Sequence, residues 1–581
     1  MCVRAIPHVW RRSMKLDPDQ PLRCLLVNPE FRGQSFWNFT ATCELMGAKT
    51  AAPPLGLITV AAILPQHWQF RLVDLNVKQL TQADWEWADL ICTGGMLPQQ
   101  QNLREIIDLA VAEDKYVVVG GADPSSQPQV YTKAHTLVVG EGEEVIPLWL
   151  ESWRAGKPRG VFKERGKPDV TTSPTPRFDL LDFWAYSLIN IQYSRGCPFN
   201  CEFCDIIELY GRKPRMKNSQ QIARELDTLL ALGYSGEIFI VDDNFIGNKV
   251  NLTKNLLPGL IEWNRQNRYP FYYTTEASLN LMDDDSLMKQ MKEAEFRAVF
   301  FGIETPDPEV LKITQKKQNS FRPIVQRMQK LYDHGMLAYA GFILGFDGEK
   351  GRVDQMMIQL IEEACINVAM VGFLVALPNT QLTRRLLREG RLLSFGGKPI
   401  TTEQEMLDGA DATDCLVPVV DQTISGLNFR THRDRVEILE DFLKVVSTVY
   451  EPKSYFDRVL RLTKVLNSSS RHIPRPAELK RDLLTFARMA KTMSLDKTTR
   501  HLFWRNVWAA LWKGPAAFAQ LMRLMAMYVH FKEQTKYTVE TVTNLIPVYA
   551  ENDRELAELD RATSRVEERH LLPLPLVTKS A

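Results

Sequence analysis

The residues with the most chemistry to offer lie in one short stretch, Ser194–Asp205, which reads SRGCPFNCEFCD. It holds Cys197, Cys201 and Cys204 at spacings of four and three residues, with no fourth cysteine nearby. Thiolates are soft ligands that suit iron-sulfur clusters, zinc and copper(I). A structural zinc site usually closes its tetrahedron with four protein ligands. Three thiols therefore need a distant fourth donor or leave one coordination position open. Four readings compete: zinc completed from elsewhere, a disulfide with a spare thiol, buried cysteines without metal, and a [4Fe-4S] cluster capped on three irons with the fourth open to a small chelating ligand. Gly196, Pro198 and Asn200 make the stretch a loop rather than a core segment, and the last reading explains most directly why the thiols stop at three.

The remaining cysteines, Cys2, Cys24, Cys43, Cys92, Cys365 and Cys415, are scattered and show no paired spacing, so a reducing, cytoplasmic setting is expected. The first twenty residues contain no apolar run of the kind a signal peptide needs, and no apolar stretch of about 18 residues occurs to span a bilayer. A net charge of +1 gives no support to a nucleic-acid partner. The chain has 581 residues, 24% charged and 45% hydrophobic, which describes a folded protein of several domains.

A reactive loop must be held by rigid elements, and two regions of alternating strand and helix patterns supply them. From about residue 20 to 150, runs such as LRCLLVNP, FRLVDLN, DLICTGG, KYVVVGG and TLVVGEGEE alternate with helical segments, as in an α/β doubly wound, Rossmann-like domain with a parallel sheet. Glycines recur at the strand ends, as Gly94, Gly95, Gly120, Gly121, Gly140 and Gly142, where such sheets bind ligands or simply make tight turns. Residues 151–185, rich in Pro and charge, read as a linker. From 186 to 395, six strand patterns separated by amphipathic helices predict a partial (β/α)6 barrel. Asp242, Asp243, Asn244, Thr275, Glu276, Glu304, Asn379 and Thr380 fall at strand ends, at the mouth where such barrels keep their chemistry, and the cysteine loop opens onto that mouth. Residues 396–581 read as a separate, mainly helical region.

The stretch CPFNCEFC resembles the CxxxCxxC loop of the radical S-adenosylmethionine (SAM) family. The resemblance implies that Cys197, Cys201 and Cys204 ligate a [4Fe-4S] cluster whose open iron takes the amino and carboxylate groups of SAM. An electron from the cluster then cleaves the sulfonium to give a 5'-deoxyadenosyl radical. It places Phe203 near the adenine and likens Asp242, Asp243 and Asn244 of VDDN to the family's polar motif at the SAM amino group. It likens Gly302 and Glu304 of GIET to the ribose motif, and Gly341 and Gly345 of GFILGFD to the fifth-strand glycine motif. Read without the family, Glu304 is a solvated strand-end carboxylate, and Asp242 and Asp243 are helix caps.

A doubly wound domain ahead of such a barrel resembles the cobalamin-binding subfamily, on the pieces PPLGL, VGGADPS and VGEGEE. The Asp-x-His-x-x-Gly motif is absent, and His67 and His135 read as ordinary loop histidines, so cobalamin is expected without a histidine axial ligand. With LYGRKPRMK, VDDNFIGN and the helical C-terminal region, the resemblance narrows to the hopanoid 2-methylase group and its uncharacterised relatives. It implies a methyltransferase that uses two molecules of SAM on an unactivated carbon of a small molecule such as a hopanoid-like lipid. It also implies an electron donor such as ferredoxin or flavodoxin. The alternatives are a cyclase or oxidoreductase without methyl transfer, and a non-catalytic sensor of cobalamin and iron-sulfur. The stretch from His501 to Phe531, rich in Trp, Met and Leu, has two readings: core helices broken at Gly514-Pro515, or a peripheral contact with a membrane surface.

Overall fold

The computed structural model describes residues 16–571, apart from 33, 34, 37, 317, 318, 320–322, 409–420 and 422; Cys2 and Cys415 lie outside the described residues. The chain divides into two compact units. The first comprises the described part of Met1–Phe31 with Pro53–Phe183 and Arg224–Tyr234; the second comprises the described parts of Arg32–Ala52, Trp184–Ala223 and Ser235–Ala581.

In the first unit six strands form one parallel sheet: β1 (Arg23–Asn28), β2 (Gln69–Asp74), β3 (Leu90–Gly94), β4 (Tyr116–Gly120), β5 (Thr136–Val139) and β6 (Gly160–Lys163). Their order is β2-β1-β3-β4-β5-β6. Leu25, Val27, Ile91, Val117, Val119, Leu137 and Val139 are buried with Leu103, Ile106 and Ile107 of the helix Gln100–Ala112, which explains the continuous apolar runs of these strands. The order reverses between β1 and β3, the switch point at which doubly wound sheets open a crevice.

Two boundaries need correction. The segment 151–185, expected to be a linker, contains β6, which extends the sheet by pairing in parallel with β5. Its exposed sequence, GVFK between Gly, Pro and charged residues, has the short and polar character that protects a sheet edge, and composition does not separate that from a linker. Arg32–Ala52, read as part of the first domain, belongs to the second unit. There Phe36 stacks on Phe531 at 5.5 Å between centroids, and Arg488 Nη1 donates to Leu45 O at 2.9 Å. The pattern of the helix Thr40–Met46 says that it buries a face, not against which partner.

The second unit holds a second parallel sheet of β7 (Ile189–Ile191), β10 (Gly236–Ile240), β11 (Phe271–Glu276), β12 (Phe296–Glu304), β13 (Leu337–Leu344) and β14 (Val368–Phe373). Each strand lies beside its predecessor, as in a partial (β/α)6 barrel. All six match the expected runs. A two-stranded ribbon, β8 (Ser194–Arg195) with β9 (Arg215–Met216), brackets the cysteine loop. The helical region, expected to be separate, is part of the same unit. Its helices include Gln381–Arg388, Arg435–Val449, Pro452–Val465, Pro476–Leu495, Arg500–Leu511 and Pro515–Leu571. Arg523 of the last helix pairs with Glu237, near the start of β10, and Thr274 Oγ1 donates to the same carboxylate at 2.6 Å. Tyr272 and Tyr339, also near the starts of their strands, lie close to Arg523. The C-terminal region thus meets the N-terminal end of the barrel.

Candidate active site

The cysteine loop is fixed first by its own backbone. Gly196 has φ +91°, and a Cβ there would lie 2.7 Å from Gly211 O, so the turn into the triplet admits only glycine. Cys197 N donates to Gly211 O at 3.2 Å, and Cys204 N to Cys201 O at 3.2 Å. The carboxylates after β10 hold the entry to the loop. Asp242 accepts from Tyr193 N (2.8 Å), Ser194 N (2.9 Å) and Ser194 Oγ (2.6 Å), and Asp243 accepts from Gly196 N at 2.8 Å. Asp242 thus holds the loop backbone and is not a helix cap. Asn244 Nδ2 approaches Cys197 Sγ at 3.9 Å, and its Oδ1 faces Ser278 N at 3.3 Å.

None of the three cysteines is in a disulfide, and burial first, then the nearby Asp205, Cys201 and Cys197, hold Cys204 well above the ordinary thiol value. Cys197 is raised as well, chiefly by burial. Such thiols stay protonated until a metal displaces the proton. Among the described residues no three His, Cys, Asp or Glu side chains gather closely enough to hold a single metal ion. A four-iron cluster asks for something else, one thiolate at each of three separate corners. Three cysteines outside any disulfide, on one glycine-bounded loop, fit that demand.

A helix that sequence reasoning missed clamps the loop from outside. In Gln381–Arg388, Gln381 Nε2 donates to Asn200 Oδ1 (2.8 Å) and Leu382 N to Glu202 O (2.8 Å). Arg385 grips both oxygens of Glu202 (2.9 and 3.1 Å), and Arg384 pairs with Glu208 at 2.5 Å. Arg385 also pairs with Asp347 at 2.9 Å, tying the cysteine loop to the loop after β13. The LTRRLLR sequence advertised a cationic helix but not its partner.

Phe203 meets Phe346 edge-on at 5.5 Å between centroids, and Lys316 Nζ lies 5.7 Å from the Phe203 ring. Lys316 forms a buried ion pair with Glu304. A β-bulge between Gly302 and Glu304, together with φ +68° at Glu304, turns that carboxylate toward Lys316. A Cβ at Gly302 would sit 2.3 Å from Glu304 Oε1 and 2.6 Å from Lys316 Nζ, so glycine leaves room for the pair. Glu304 is therefore not a solvated strand end. Gly341 faces the Phe300 ring, where a Cβ would lie at 3.2 Å. Gly345, at φ +104°, donates its N–H to Glu349 Oε1 at 3.0 Å. Burial pushes Glu349 up to about 7.

Glu276 at the end of β11 completes a carboxylate group. Burial first, then repulsion from Asp243 and Asp242, push it up to about 8; burial likewise pushes Asp243 to about 7 and Asp242 to about 6. The strand period put Glu276 at the mouth, but only the proximity of the two aspartates makes its charge costly. This environment suits a cation.

In the first unit the glycine turns meet one another. A Cβ at Gly94 would lie 2.3 Å from Gly120 O, and one at Gly121 (φ +103°) 3.0 Å from Gly95 N. Gly140 N donates to Ser125 Oγ at 3.0 Å, and a Cβ at Gly142 would lie 3.2 Å from Ile146. The ends of β3 and β4 thus meet backbone to backbone, while the Gln99 side chain lies against Gly95 and the Glu164 carboxylate against Gly140. His67 Nε2 lies 3.2 Å from Pro18 O, and His135 Nδ1 accepts from Val117 N at 3.1 Å, so both rings have structural partners.

Residues 191–361 match the Radical SAM superfamily, and residues 380–544 match a domain of unknown function, DUF4070. An uncharacterized methyltransferase of Synechocystis sp. is 38% identical over 561 residues, covering 96% of this chain and 99% of that protein. The hopanoid C-2 methylase of Rhodopseudomonas palustris is 38% identical over 386 residues, covering 65% of this chain and 73% of that protein. The solved structure of the cobalamin-dependent S-adenosylmethionine radical enzyme OxsB, with aqua-cobalamin and S-adenosylmethionine bound, has a TM-score of 0.53 at 15% identity. It covers 92% of this chain and 84% of that one, a likeness of fold.

Proposed function

Because the chain belongs to the cobalamin-binding radical SAM family that includes the hopanoid C-2 methylase, we propose that it methylates an unactivated carbon of a hopanoid-like lipid. The observation that carries this reading is the 38% identity to that methylase, over 73% of its length, in a chain that has kept a three-thiol loop. When bound, the [4Fe-4S] cluster would supply the electron that cleaves SAM, and cobalamin the methyl group delivered to carbon.

The residues of this chain do the holding and the shielding. Cys197, Cys201 and Cys204 would hold the cluster, with Asp242 and Asp243 keeping the loop in place. Asp243 and Glu276 offer carboxylates to the cationic end of SAM, Phe203 an aromatic edge to its adenine, and Glu304 with Lys316 a polar pair to its ribose. Cobalamin would rest on the edge made by the turns at Gly94, Gly95, Gly120, Gly121, Gly140 and Gly142.

Two molecules of SAM are consumed per product: one leaves as S-adenosylhomocysteine after giving its methyl group, the other ends as methionine and 5'-deoxyadenosine, carrying the hydrogen removed from the substrate. The balance needs two electrons from a donor of the ferredoxin or flavodoxin class. The test is anaerobic incubation of the reconstituted protein with methyl-labelled SAM, a low-potential reductant and a pentacyclic triterpenoid. Label should enter the triterpenoid with equal amounts of S-adenosylhomocysteine and 5'-deoxyadenosine. Formation of 5'-deoxyadenosine with no labelled lipid would point instead to a cyclase or oxidoreductase.

A further inference from the structure

The helices Pro476–Leu495 and Arg500–Leu511 are joined by a short turn and packed together through Phe486 and Phe503, whose ring centroids are 6.4 Å apart. On the second helix Phe503, Asn506, Val507 and Ala510 are buried. The opposite stripe should be polar in a helix that ends at solvent. It is instead Trp504, Trp508, Leu511 and Trp512, with Trp508 62% and Trp512 87% exposed. The first helix adds Leu483 at 61% and, where it ends, Leu495 at 72%. Contiguous large apolar groups facing water mark an interaction surface. The break at Gly514-Pro515 is where the sequence placed it, and beyond it Leu521, Leu524, Met525, Tyr528 and Phe531 turn inward, so core packing accounts for the second half of the segment and for only one face of the first.

The charge on the same hairpin says what kind of surface it meets. Residues 476–513 carry eight Lys and Arg against three Asp and Glu, a net charge of +5 in a chain whose total is +1. All three acids have local partners: Glu478 bonds His472 at 3.0 Å, Asp496 pairs with Lys532 at 2.5 Å, and Asp482 lies 3.8 Å from Arg481. Lys480, Lys491 and Lys497 are exposed. Tryptophan beside lysine and arginine is the composition that settles at a headgroup layer, with the ring at the apolar boundary and the cation at phosphate.

We propose that this hairpin docks the protein on an anionic lipid bilayer, with Trp508 and Trp512 entering the headgroup region and Lys480, Lys491 and Lys497 facing lipid phosphate. Among the described residues no helix is long and apolar enough to cross a membrane, so the contact is peripheral. It is measured without turnover, and its fate is separate from that of methyl transfer.

The test is co-sedimentation of the full-length protein with vesicles of phosphatidylcholine alone or mixed with phosphatidylglycerol, alongside tryptophan fluorescence. Binding to the mixed vesicles at low salt, weakening as salt rises, with a blue-shifted emission, is expected. Trp508→Ser with Trp512→Ser should lower partition roughly tenfold or more. Lys491→Glu with Lys497→Glu should weaken binding to the mixed vesicles and leave the weak binding to phosphatidylcholine unchanged. Thermal melts of both variants check that they fold, and the lysine pair, lying wholly on the surface, decides the matter if the tryptophan pair does not fold. Wild-type protein that stays in the supernatant with anionic vesicles, or two folded variants that bind as well as wild type, overturns the proposal. So does a lipid-free dimer that the tryptophan variant converts to monomer, since a second copy would then cover the stripe.

Discussion

To hold iron as proposed, Cys197, Cys201 and Cys204 would each have to lose a proton, and burial opposes that loss at Cys197 and most of all at Cys204. Metal binding and thiol ionisation are therefore one event. Replacing any one of the three by alanine should drop bound iron from about four per chain to a small fraction of that after anaerobic reconstitution, with loss of the brown absorbance. Glu276 makes a second prediction at this scale. Its ordinary value is 4.5 and its folded value is about 8, so between those limits the folded state binds more protons than the unfolded one. Stability therefore falls as pH rises from about 4.5 to about 8, and the penalty is fully present above that. Glu276→Gln removes the ionisable group, so its melting temperature should exceed that of wild type at pH 8.5 by a few degrees, and the difference should shrink toward pH 5. A gap that widens on acidification would contradict the sign.

At the level of elements, the barrel strands place the mouth, while the helix Gln381–Arg388 keeps the cysteine loop in register with it. Arg385 is the joint, since it holds Glu202 on one side and Asp347 on the other. Groups that orient a metal-binding loop without touching the metal typically govern retention by one to two orders of magnitude. Arg385→Ala should therefore release iron to a chelator roughly tenfold faster than wild type, while Arg385→Lys, which keeps the charge and loses the two-pronged grip, should fall between them. Equal release rates for all three would mean that the clamp serves only the fold. This helix begins where the DUF4070 match begins, and that region therefore contributes directly to the surroundings of the cysteine loop.

At the level of the molecule, the second unit is a barrel and a helical region folded as one body, and the Arg523–Glu237 pair joins them at the strand starts. Glu237 is buried, so losing the arginine takes its ion-pair partner away and leaves Thr274 Oγ1 as a neutral donor to the carboxylate. Arg523→Ala should cost roughly 3 kcal/mol, measured by denaturant unfolding of the whole chain. Arg523→Ala combined with Glu237→Gln should recover much of that cost, because the stranded charge is then gone. A chain cut at residue 395 would expose the lower barrel and is expected to be insoluble.

Much of this protein could be read without coordinates. The thiol triplet needs only its spacing, and the strands of both sheets other than β6 follow from apolar runs and the residues that end them, because those patterns are local consequences of the strand and helix repeats. Glu304 and Gly302 were visible as strand-end residues; that one turns to Lys316 and the other makes room for it depended on a bulge that no pattern announces. The partners that build the site lie far apart in the chain: Glu202 and Arg385 are 183 residues apart, and Glu237 and Arg523 are 286 apart. Periodicity states that a face is to be buried, but complementarity between distant surfaces decides what covers it. For that reason the sequence by itself determined the strands of both sheets other than β6 and the spacing of the three thiols. Only the tertiary structure decided that β6 is a strand, that residues 32–52 belong to the second unit, and that a row of tryptophans remains in water.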